Sequence, residues 1–292
     1  MNLFYNSFFQ HNEYCNYLLG YNLYKNQLFR GQHVPFFADK ILIHYDHLYS
    51  DPHKIKDGDF VYCDTHQLLK FKDILNLRNN LTLITHNSDY YVCDGASNDI
   101  NGINVDSFTC YKKWYAQNCY SINPKLIPIP IGFENKKWEN IFGPKTKYIN
   151  RVSMNIVEPT GLVYFNCNQN TNLKDRKECF DFSINTSYVN IDEPNLSYIN
   201  YLNRIQHHKF ILSPNGNGLD CHRTWEILKL QRIPILKRQG QLERLYANMP
   251  VLFVDNWNDI NQLNLSDIYH NYNFLNQEYL NFNYWYKICR NK

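Results

Sequence analysis

In the second half of the chain, short apolar runs alternate with polar segments at helical spacing. Residues 162–167 read as a strand, a polar loop follows to Asn172, and 174–182 carries the spacing of a helix through Cys179 and Phe182. The same alternation continues: a strand at 188–191, a helix opened by Pro194 and ending near His207, and a strand at 210–212 closed by Ser213-Pro214. A helix at 222–231, a strand at 233–236, a short helix at 241–247 and a strand at 251–254 complete the series. Strands alternating with helices of this length predict βαβ units and a parallel sheet covered on both faces.

The first half repeats the pattern more faintly. Strands are predicted at 40–43, 59–63, 81–85 and 125–131, with a helix over 65–77. The pattern lapses between Tyr148 and Thr160, and Pro159-Thr160-Gly161 precedes a fresh strand. The sequence therefore predicts two α/β domains, 1–155 and 156–292. The aromatic segment 269–286 reads as a packing helix.

Composition narrows the function classes. A chain of 292 residues, 44% hydrophobic and 16% aromatic, is built to bury a core. A net charge of +3 with no basic stripe argues against a nucleic-acid footprint. No apolar run approaches the roughly 20 residues of a membrane helix, and the start, Met1 to Tyr24, shows neither a basic n-region nor an apolar h-region. Nine scattered cysteines without a CxxC pair fit reduced thiols in a cytosol-like compartment. Cys63-Asp64-Thr65-His66 and Cys221-His222 each bring ligand types together, but neither has the second spaced pair of a structural zinc site, so no metal is expected.

The segment with most chemical content runs from Phe210 to Leu228. It reads as strand, glycine-containing loop and helix, with Asn215, Gly216 and Gly218 in the loop and His222, Arg223 and Glu226 opening the helix. Loop amides and a helix N-terminus favour an anion, and Gly216 and Gly218 allow the backbone to approach it. A guanidinium at Arg223 suits a diphosphate, and a carboxylate one turn on, Glu226, suits paired hydroxyls. No Lys-Ser/Thr follows the loop, which argues against a P-loop nucleotidase. Asn170 and Arg176, in the loop and helix after the domain's first strand, are further donor-side candidates at the carboxyl ends of the strands.

The run Ser213-Pro214-Asn215-Gly216-Asn217-Gly218-Leu219-Asp220-Cys221-His222-Arg223-Thr224-Trp225-Glu226, with Ile233-Pro234-Ile235-Leu236-Lys237, Leu245-Tyr246 and Pro250 to Trp257, resembles the exostosin-type glycosyltransferases in the form met in large DNA viruses and algae. Arg232 stands where that family has a small residue, and Met249-Pro250 replaces Leu-Pro. The resemblance extends more faintly to Ile84 to Asp89, Trp114 to Asn118 and Pro128 to Gly132. It implies two Rossmann-like domains in a GT-B architecture, with the nucleotide-sugar donor held by the C-terminal domain and a glycan acceptor by the N-terminal one.

Such a transferase needs a base to accept the acceptor hydroxyl's proton. His86 and Asp89, after a predicted strand, and then Glu134 are the candidates. The expected enzyme moves a sugar from a nucleotide-sugar to a glycan hydroxyl without a metal or other cofactor, in the cytoplasm, or the host cytoplasm if viral. The rival reading is a non-catalytic carbohydrate or nucleotide-sugar binding protein of the same fold. A structural interaction protein with an Asn-rich aromatic surface is a third.

Overall fold

The segment Phe60–Asp64 is buried at every position, the mark of a strand inside a parallel sheet with both faces covered. It belongs to one of two units in a computed structural model that describes residues 24, 26–95, 101–274 and 276–290. Unit 1 runs to Gly132 and takes back the segment from Glu278; unit 2 is Phe133–Gln277. The segment 1–23, on which the expectation about a secretory signal rests, lies outside the described residues, as does Cys15.

Unit 1 contains β1 (Lys40–Ile41), β2 (Ile43–His44), β3 (His47–Leu48), β4 (Phe60–Asp64), β5 (Leu81–His86), β6 (Tyr91–Cys93), β7 (Gly102–Asn104), β8 (Tyr111–Ala116) and β9 (Leu126–Pro128). Five of these form a parallel sheet in the order β1-β4-β5-β8-β9. The order follows the chain without reversal. Right-handed crossovers that always step the same way place their connections on one face. That face is the cluster of Val61, Cys63, Leu83 and Trp114 with Leu68, Phe71 and Leu75, supplied by the tight 3₁₀ run Thr65–Phe71 and the helical turn Lys72–Leu75. The predicted helix over 65–77 takes this tighter form.

The opposite face needs a separate cover. It comes from the 3₁₀ segment Gly31–Phe37 and the C-terminal helix Phe282–Arg290. Tyr115 donates to the Ile288 carbonyl at 3.3 Å, the Arg290 guanidinium lies 5.2 Å over the Phe60 ring, and Phe37 meets Phe282 at 5.2 Å. This is why the division differs from the 1–155 and 156–292 domains read from the sequence. The tail joins unit 1 because a sheet wound in one direction leaves a face bare, and the boundary falls at Gly132. The stretch where the pattern lapses holds the helix Lys145–Ser153, of which only Ile149 and Val152 are buried.

Unit 2 contains β10 (Gly161–Phe165), β11 (Val189–Ile191), β12 (His208–Leu212), β13 (Ile233–Lys237) and β14 (Leu252–Val254), all parallel, in the order β11-β10-β12-β13-β14. Here the order reverses between β10 and β12, the topological switch point at which open α/β sheets bind ligands. One face packs Val163, Phe165, Phe210 and Ile235 against Cys179 and Phe182 of the helix Leu173–Ile184 and against Trp257 and Ile260. The crossover that returns past β10 is the helix Tyr198–Gln206, between β11 and β12, while the helix His222–Lys229 links β12 to its neighbour β13.

Arg232, the residue that departs from the small one expected before Ile233, is buried and hydrogen-bonded throughout. Its guanidinium donates to the carbonyls of Gln206 (2.9 and 2.6 Å), Gln231 (2.8 Å) and Val157 (2.5 Å). Buried charge is tolerated where every donor finds an acceptor, and here one side chain closes the C-terminal end of the helix Tyr198–Gln206.

Candidate functional site

At the switch point of unit 2, side chains tie the loop after β10 to the loop after β12. Arg223, in the first turn of the helix His222–Lys229, donates through Nη1 to the Asn166 carbonyl and lies 5.4 Å over the Tyr201 ring. Arg176 donates through Nε to the Asn215 carbonyl (2.9 Å) and through Nη1 to that of Asn168 (2.8 Å). Asn172 caps its own helix by accepting from the Asp175 N–H, and donates to the Gly216 carbonyl at 3.0 Å. Two guanidinium groups thus stand at the carboxyl edge of β10 and β12, the place that both the loop chemistry and the location rule indicate.

The loop itself is built differently from the expectation. The amide of Asn215 donates to the Asp175 carboxylate (2.8 Å) and that of Gly216 to the Cys221 sulfur (3.0 Å), so both are spent inside the protein. Asn215's side chain donates to Gln239 at 2.7 Å. A Cβ on Gly216 would stand 3.2 Å from the Cys221 sulfur and 3.3 Å from Arg176 Nη2, so glycine here serves close packing of the loop on its own supports. Burial, and then the Asp220 carboxylate, push the Cys221 thiol up to about 11. Gly218 is buried, whereas Asn170 is exposed in the turn Gln169–Thr171 and takes no part in the ties just described.

What remains for an anion is the helix start. N-cap Cys221 makes no side-chain capping bond, and no acidic residue stands in the first turn, so the first turn itself brings no negative charge to the positive end of the helix. Asp220 anchors that end: it accepts from Trp225 Nε1 at 3.0 Å and from the Tyr246 hydroxyl.

Glu226 is buried at 6% exposure and accepts from the Tyr198 hydroxyl at 2.8 Å. The carboxylate expected to face ligand hydroxyls is turned to a phenol. Burial and then Glu226 raise the Tyr198 hydroxyl above its ordinary value, so the phenol stays a donor. Glu134 lies in unit 2, paired with Lys145 (2.7 Å) and 3.7 Å from His222 Nε2. This corrects its assignment to the first half: it belongs with the start of the helix His222–Lys229. Lys145 also sits 5.4 Å over the Tyr198 ring, which joins Glu134, His222, Tyr198 and Glu226 into one polar cluster. Sequence reading missed Tyr198, Tyr201 and Lys145. The three-residue spacing of the two tyrosines on one helix face is the signal that was there.

In unit 1 the carboxyl edge of the sheet gathers a second group. His86 is buried, with Nδ1 accepting from the Asn87 amide (2.6 Å) and Nε2 facing the Pro130 carbonyl (2.8 Å). These partners fix a neutral ring protonated at Nε2, and the proton-accepting nitrogen is already taken. Asp89, three residues on, is exposed on the same loop.

The carboxylate that organises this edge is Asp64, at the end of β4 and 0% exposed. It accepts from the Tyr62 hydroxyl (2.5 Å), the Tyr45 amide (2.8 Å) and Asn87 Nδ2 (3.3 Å), and it meets His44 Nδ1 at 3.3 Å. Sequence reading weighed Asp64 only as part of a metal motif and passed over His44.

Among the described residues no group of three or more His, Cys, Asp or Glu is placed to hold a metal ion, and no helix is long and apolar enough to cross a membrane. Comparison with models of known protein families and with curated proteins finds nothing that matches the chain.

Proposed function

We propose that the protein is a GT-B type glycosyltransferase that moves a sugar from a nucleotide-sugar donor to a glycan hydroxyl, with the donor's diphosphate held by unit 2. The observation that carries the reading is the convergence of Arg223, Arg176 and an uncapped helix start at the switch point between β10 and β12. As the bond from sugar to phosphate breaks, negative charge grows on the leaving diphosphate. Fixed cations and helix dipoles aimed at that charge stabilise the transition state more than the ground state. Arg223 supplies the charge and Tyr201 and Asn166 hold its plane. Glu226 acts through Tyr198, and Arg176 shapes the loop. In this reading guanidinium groups, not a metal, meet the phosphate charge.

A non-catalytic nucleotide-sugar binder is the second reading. It is favoured by the engagement of His86 with Asn87 and Pro130 and of Glu134 with Lys145, which removes two of the three base candidates. Release of nucleoside diphosphate from a panel of UDP- and GDP-sugars, with simple glycosides as acceptors, separates the two. Turnover supports the transferase. Binding of a donor without turnover supports the binder.

A further inference from the structure

We propose that the stretch from Lys136 to Met154, in unit 2, is a docking surface for an anionic lipid bilayer. It consists of the 3₁₀ turn Lys136–Trp138, the helical turn Glu139–Phe142 and, after a bend at Gly143 (φ 84°), the helix Lys145–Ser153.

The helix has two unlike sides. Ile149 and Val152 turn inward, and Lys145 on the same side reaches Glu134 at 2.7 Å. Lys147, Arg151 and Met154 follow one another at spacings of four and three residues, so they form the opposite stripe, and all three are exposed. The shorter turns before the helix expose Lys136, Lys137, Trp138 and Ile141. Glu139 ties the two parts together, its carboxylate accepting from the Thr146 amide at 2.9 Å and from the Thr146 hydroxyl.

Those bonds also decide the charge that faces outward. Glu139 is half-buried against Thr146, and the adjacent Glu134 is paired with Lys145. Every exposed charged residue from Lys136 to Met154 is therefore a cation. Between the cations stand Ile141, 66% exposed, Met154, 81% exposed, and Trp138, 38% exposed.

A bilayer with anionic headgroups answers both features at once. Aliphatic side chains gain by leaving water for the acyl boundary. Lysine and arginine stems lie along apolar surface while their charged ends reach lipid phosphate, and tryptophan favours the headgroup level. A nucleic acid would call for a continuous positive track along its backbone. Here the cations are interleaved with aliphatic residues, which favours lipid.

The test uses the full chain. It should sediment with vesicles of phosphatidylcholine containing about a third phosphatidylserine, and stay in solution with phosphatidylcholine alone. Lys147→Gln combined with Arg151→Gln should lower the partition coefficient by about 25-fold, about fivefold for each cation removed. Met154→Ser should lower it by roughly tenfold, because the apolar side chain no longer leaves water. Fluorescence gives an independent reading: Trp114, Trp225, Trp257 and Trp285 are 0–4% exposed, so a blue shift of emission on adding the anionic vesicles reports Trp138, and Trp138→Phe should abolish it. No sedimentation with the anionic vesicles overturns the proposal, as does binding that brings no blue shift or that the double substitution leaves unchanged. Retention of single-stranded RNA or of a polyglutamate peptide in place of vesicles, lost in the double variant, would overturn it in favour of that partner. If the double variant does not fold, the wild-type emission shift decides in the same way.

Discussion

Replacing Arg223 by alanine removes three interactions that fall on two different observables. The bond to the Asn166 carbonyl and the stack on Tyr201 belong to the folded protein. A hydrogen bond from a charged donor contributes about 1.5–3 kcal/mol, and a cation over an aromatic face about 0.5–1 kcal/mol, more when desolvated. The melt should therefore lose about 2–4 kcal/mol from these two sources. The third interaction, with donor phosphate, appears only in binding. Its loss should weaken UDP or GDP affinity by about 1.5–3 kcal/mol, roughly 10- to 150-fold in Kd. Arg223→Lys keeps the charge but not the planar fork, so it should fall between wild type and alanine in both measurements. Urea melts and titration calorimetry at one fixed salt concentration read the two effects separately. A folded Arg223→Ala with unchanged nucleotide affinity would refute the phosphate assignment, whatever its stability.

Three further outcomes follow from particular packing and charge. A Cβ at Gly161 would stand 2.2 Å from the His208 ring, which stacks on Tyr164 at 4.9 Å, so Gly161→Ala should cost about 1–3 kcal/mol in a urea melt; a cost below about 0.5 kcal/mol, the noise of surface changes, would contradict that contact. Burial, and then Arg30, lower His33 to about 3 from an ordinary 6.5. The unfolded chain thus binds a proton that the native state refuses: stability is complete above pH 6.5 and is lost as pH falls toward 3, by about 1.4 kcal/mol per pH unit. His33→Phe, among the rings of Tyr24 and Phe282, should flatten that slope by one proton, and an unchanged slope would show that His33 is not the group responsible. Transfer should persist in excess EDTA, and loss restored by manganese or magnesium would refute charge neutralisation by arginine alone.

Unit 2 was legible because most of its strands hold short apolar runs and its helices carry clear punctuation. β12, its loop and the helix after it lie where the pattern of Phe210 to Leu228 places them. Unit 1 was less so. β8 was missed because Lys112 and Lys113 break the apolar run of Tyr111–Ala116, although its buried face is carried by Trp114 and Ala116. The return of the helix Phe282–Arg290 depends on which face of a sheet is bare, a property of strand order and not of local pattern. The candidate residues of each unit divide in the same way. Arg223, Arg176 and His222 are local to a readable strand-loop-helix unit, while Asp64 and His44 meet only because β4 and the chain after β1 lie side by side. Asn215 and Gly216 were assigned to a ligand on loop chemistry alone, and the carboxylate and thiol that consume their amides come from elsewhere in the chain or the far end of the loop.

The central claim is that unit 2 binds a nucleoside diphosphate at the edge of β10 and β12. Thermal unfolding of the full chain with UDP or GDP, set beside the same titration with uridine, guanosine and free sugars, tests it most directly. At ligand concentrations near 100 times Kd the folded state gains about 2.7 kcal/mol, which for a chain of this size raises Tm by roughly 5–10 °C. A shift of that order with a diphosphate, and little with the nucleoside, is the predicted result. No shift with any nucleoside diphosphate, or an equal shift with the nucleoside alone, would contradict it.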